Sequence, residues 1–82
     1  MAVKAFVLSE ALAGIGCLGR ARDDEPVFVL RAQDRCAPKI VRAWAEFAKN
    51  EGVPEEKVAD ARRVADEMDE WQRLTGRAKW PD

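Results

Sequence analysis

The chain contains no histidine and no tyrosine, one serine (Ser9), one threonine (Thr75) and two cysteines, Cys17 and Cys36. These scarcities remove most of the groups from which nucleophile–base pairs and metal sites are assembled, and no glycine-rich loop resembles a phosphate cradle. The sequence therefore points away from catalysis, and no cofactor or metal is expected. Charge of one sign is lacking too: 14 Lys and Arg stand against 15 Asp and Glu. The first 50 residues carry eight basic and six acidic side chains, the remainder six and nine. Neither excess singles out nucleic acid or charge mimicry.

No segment reaches the ~20 apolar residues needed to span a bilayer, so no membrane role is expected. Lys4 and the apolar stretch at residues 5–18 have the outline of a secretory or lipoprotein leader. Ser9 and Glu10 interrupt it, however, and Gly14-Ile15-Gly16 lacks the large aliphatic residue expected three before a lipidated cysteine. Two cysteines without C-x-x-C spacing are too few to staple a small secreted domain. They read as reduced thiols in a cytoplasmic protein.

What is present suffices for one small domain. Apolar residues make up 48% of the 82, but a chain this short buries only about 60–65% of its unfolded surface. The core is expected to be thin, and a homodimer would help it. Residues 3–8 and 26–31 favour strands, the second through Val27, Phe28, Val29 and Leu30. A helix over residues 10–18, capped by Ser9, is an alternative reading of the connection that follows the first. Pro38 opens a helix over residues 38–50, in which Ile40, Val41, Trp44, Phe47 and Ala48 recur at helical spacing. Gly52 stops it, Pro54 restarts the chain, and Glu55 and Glu56 suit the positive end of a second helix dipole. That helix runs over residues 54–75 with Val58, Ala61, Val64, Ala65, Met68, Trp71 and Leu74 inward. The expected fold is α+β: a short two-stranded N-terminal element packed on an antiparallel helix pair. An all-helical three-helix bundle is the alternative. Residues 1–33 would form the strand and loop part, 34–76 the helical hairpin and 77–82 a tail.

Several clusters carry candidate function. Ala48, Gly52, Val53, Val58 and Ala61 stand at helix-turn-helix offsets. The residues that would then meet DNA include Glu55, Glu56 and Asp60, which phosphates repel, so a plain hairpin is favoured and nucleic acid is the less expected partner. Arg35, Lys39, Arg42 and Lys49 share the outer face of the first helix, a stripe for phosphates or an acidic protein, or else an ordinary solvated face. Asp66, Glu67, Asp69 and Glu70 form an acidic cluster on the second, although a rigid helix seldom wraps enough oxygens around a cation and Arg62, Arg63 and Arg73 lie a turn away. Cys36, between Arg35 and Lys39, has surroundings that stabilise a thiolate, yet reads better as a small buried apolar group. Trp80 either folds back over the hydrophobic seam, the favoured reading, or stands out as an aromatic anchor.

Residues 25–34 (EPVFVLRAQD), Ala37-Pro38, 41–45 (VRAWA), 64–71 (VADEMDEW) and 79–82 (KWPD) together resemble a group of short, uncharacterised proteins encoded in phage and prophage gene clusters. The likeness covers residues 25–82. It implies a small accessory protein of a bacterial cytoplasm that binds a host or defence protein stoichiometrically, as an inhibitor or modulator. A helix-turn-helix-like transcription-associated protein and a small structural phage component are the alternatives. The residues expected to meet a protein partner are Arg35, Lys39, Arg42, Asp66, Asp69, Glu70 and Trp80.

Overall fold

The computed structural model describes residues 3–80, and among these it contains only helices: α1 (Lys4–Leu12), α2 (Gly16–Arg20), α3 (Ala37–Asn50) and α4 (Glu55–Thr75). The expected α+β fold is thus overturned, and the all-helical alternative fits. Residues 3–8 lie in and beside α1 because Lys4, Ala5, Leu8, Glu10, Ala11 and Leu12 are good helix formers, whereas a strand there would need a partner the fold does not supply. The helix starts well before Ser9, which makes no capping bond. Residues 26–31 have no regular structure, and Val27, Phe28 and Val29 are exposed. Pro26 removes one donor, and no second strand faces the segment. Its β propensity finds nothing to pair with. The one β-type contact among the described residues is an isolated parallel bridge between Asp34 and Lys79.

The chain packs as two helix pairs. Gly14 and Gly16, at φ +73° and +74°, turn α1 into α2, and α1 and α2 pack on each other while the backbone of neither comes close to that of α3 or α4. Gly19 permits the close approach within the first pair: a Cβ there would lie 2.9 Å from the carbonyl carbon of Gly14. The second pair is the longer. Pro38 sits in the first turn of α3, Gly52 turns the chain at φ +83°, and Glu55 and Glu56 occupy the first turn of α4, where the dipole favours them. Gly76 closes α4 in the left-handed conformation, φ +64°.

Small residues set the contact between α3 and α4. Among the described residues Ala37, Ala45, Ala48, Val58 and Ala65 form the buried core, Pro38 is buried beside Ala37 in the first turn of α3, and no large side chain is completely enclosed. Val53 and Ala61 pack against Ala45, Ala48 and Val58. The open end of the hairpin is fastened by polar bonds. Gln72 Nε2 donates to the carbonyls of Ala32 (2.8 Å) and Asp34 (3.1 Å). Arg35 N donates to Lys79 O at 2.7 Å, and Lys79 N to Gln33 O at 2.9 Å. These bonds tie the segment entering α3 to the one leaving α4.

Candidate interaction site

The residues singled out by charge are brought together across the hairpin. Arg42 on α3 uses one guanidinium nitrogen to donate to Asp66 Oδ1 (2.7 Å) and Asp69 Oδ2 (2.5 Å) on α4. The bond to Asp66, then that to Asp69, raises the Arg42 pKa further above its ordinary value. Arg62 reaches back from α4 to Glu46 at 3.1 Å. Glu70 is held by Arg73, 2.5 Å away on its own helix, which lowers the Glu70 pKa and raises that of Arg73. Asp60 pairs with Arg63. The basic and acidic faces thus largely neutralise each other along one flank of the hairpin.

Arg35 is also engaged: its guanidinium donates to the Ala78 carbonyl at 3.0 Å. Lys39 is exposed. Trp80 is 67% exposed. Cys36 is half-buried at the N-cap of α3, Cys17 is exposed, and both are free thiols.

The opposite flank carries the apolar residues that recur at helical spacing along α3. Ile40, Trp44 and Phe47 are 49%, 51% and 70% exposed. At 3.6 residues per turn they lie on one stripe, rotated away from the Ala37, Val41, Ala45 and Ala48 stripe that meets α4. Apolar residues occupy well over half the circumference of α3, and one neighbouring helix covers only part of that arc. On α4 the half-buried Val64, Met68 and Trp71 lie on the side away from Asp66 and Asp69. Arg42, Glu46, Arg62, Asp66 and Asp69 close one flank, so these two apolar stripes share the other. The result is an apolar surface built from both helices, with Leu74 exposed beyond it. The signal for it was in the sequence as an apolar arc too wide for a single contact.

A hollow of about 650 Å³ lies elsewhere, lined in part by Glu10, Cys17, Arg20, Glu25 and Lys57, and it is open to solvent. No three His, Cys, Asp or Glu side chains among the described residues converge as a metal site, and no helix is long and apolar enough to cross a membrane. Comparisons with family models, curated proteins and solved structures give no match.

Proposed function

We propose that this chain is a non-enzymatic protein-interaction module that works by stoichiometric binding through the apolar flank of its helical hairpin. The observation that carries this reading is the exposure of Ile40, Trp44 and Phe47 beside Val64, Met68 and Trp71. Aromatic side chains of this kind supply most of the energy of protein interfaces. The resemblance to phage-encoded accessory proteins makes a bacterial host or defence protein the target class. The charged residues first assigned to binding are already paired: Arg42 with Asp66 and Asp69 across the hairpin, and Glu70 with Arg73 within α4. Ion pairs that tie α3 to α4 side by side, and carboxylates at the start of α4, weigh against DNA recognition, which calls for crossed helices and donors there.

The test is capture from a bacterial lysate by the tagged full chain and by Trp44→Glu, each with and without nuclease. A protein retained after nuclease by the parent chain and lost from Trp44→Glu is the expected result. Equal capture by both chains, or recovery of nucleic acid alone, would overturn the reading.

A further inference from the structure

Resting on the reading of the flank as a protein-docking surface, we propose that in the free protein its occupant is a second copy of this chain, which a host or defence protein would have to displace, the two hairpins closing face to face as a four-helix bundle. The surface area argues for it. A folded monomer of 9.2 kDa is expected to expose about 4,900 Å², whereas this chain exposes 6798 Å². The excess is more than twice the ~800 Å² that each partner buries in an interface of standard size, and the flank shares it with exposed apolar residues nearer the N-terminus, Leu12 and Phe28 among them. The radius of gyration agrees: 13.5 Å against about 12 Å for a compact chain of this length.

The deficit is internal to the fold. Four of the five hydrophobic residues of the buried core among the described residues are alanines, while Trp44, Phe47 and Trp71, which would make a core, line the open flank. A twofold contact uses the same patch twice, so Ile40, Trp44 and Phe47 of one chain meet Val64, Met68 and Trp71 of the other. With the axis parallel to the helices, α3 lies antiparallel on the second copy's α4, as it does on its own. The seam then becomes the core of a four-helix bundle.

Charge at the edges fits that arrangement. Lys39 stands at the outer edge of α3 and Glu67 at the outer edge of α4, and neither has an ion-pair partner among the described residues. The register fixed by Arg42–Asp66, Arg42–Asp69 and Glu46–Arg62 puts Lys39 and Glu67 within about one helical turn of the same level. A twofold axis along the hairpin therefore brings Lys39 of each copy to Glu67 of the other. A net charge of −1 opposes self-association little.

Sedimentation of the full chain across a concentration series tests the proposal, with circular dichroism confirming that each variant stays helical. The parent chain is expected at twice the 9.2 kDa of one chain. Trp44→Glu should raise the dissociation constant about thirtyfold or more. Lys39→Glu should raise it about threefold, and Lys39→Glu with Glu67→Lys should restore it. A chain that stays at 9.2 kDa at every concentration, or a dimer indifferent to Trp44→Glu, would overturn the proposal. The docking reading has its own readout: a monomer that still captures a protein through Trp44 would leave that reading standing.

Discussion

Arg42 on α3 lies 2.7 Å from Asp66 on α4, and this bond, with its companion to Asp69, locks one side of the hairpin. Locking that side commits the apolar residues of both helices to the other. The protein thus has a polar flank satisfied by its own charges and an apolar flank that awaits a partner.

Replacing Arg42 with Met keeps the aliphatic stem and removes the guanidinium. Because the pairs are solvent-exposed, the loss is expected to be modest, a fall of a few degrees in melting temperature. It should vanish near 1 M salt, where the screening length drops to about 3 Å. Thermal denaturation of both chains at low and high salt checks this.

The Glu70–Arg73 contact gives a pH dependence of defined sign. The folded-state pKa of Glu70 lies below its ordinary value of 4.5, so its contribution is present above that value and is lost as pH falls through the lowered pKa. Arg42 and Arg73 are shifted the other way, so their contributions are present below the ordinary arginine value and are lost only as pH rises through the raised folded-state pKa. Glu70→Gln is expected to be less stable than the parent at neutral pH and equal to it in strong acid, as measured by denaturant titration.

The alanine seam sets a steric limit. Ala45 is fully buried between α3 and α4, and Ala45→Leu should cost about 1–3 kcal/mol by forcing the helices apart. Ala59→Leu, at an exposed position on α4, should change stability by less than about 0.5 kcal/mol. Chemical denaturation of the two variants separates the cases.

Gly19 offers a test of the division into two helix pairs. A Cβ there would meet the Gly14 backbone at 2.9 Å, so Gly19→Ala should loosen α1 against α2. Since the backbone of neither helix comes close to that of α3 or α4, proteolysis should quicken around residues 13–21 while amide protection within α3 and α4 stays unchanged.

The hairpin was legible in the sequence because local chemistry punctuates it: Pro38, Gly52, Pro54 and Gly76 each stand where a helix must start or stop. The strands were not, since Val3, Phe6 and Val7 suit either state and only a tertiary partner decides between them. The inward stripe was legible in part. On α4 Val58 and Ala65 are buried as expected, whereas Leu74 is exposed, and on α3 so are Trp44 and Phe47, because periodicity marks which residues share a face and not how much of that face one neighbour covers. The charge clusters were visible, but their pairing across the hairpin depended on a register that no local pattern fixes.

The most direct measurement is acrylamide quenching of Trp44 fluorescence in the chain carrying Trp71→Phe and Trp80→Phe, followed across protein concentration. The account predicts that Trp44, 51% exposed in one chain, becomes less accessible to quencher as concentration rises. A companion chain that keeps only Trp80 should stay accessible throughout. Equal quenching of Trp44 at every concentration would contradict the claim that this flank is where a second copy docks.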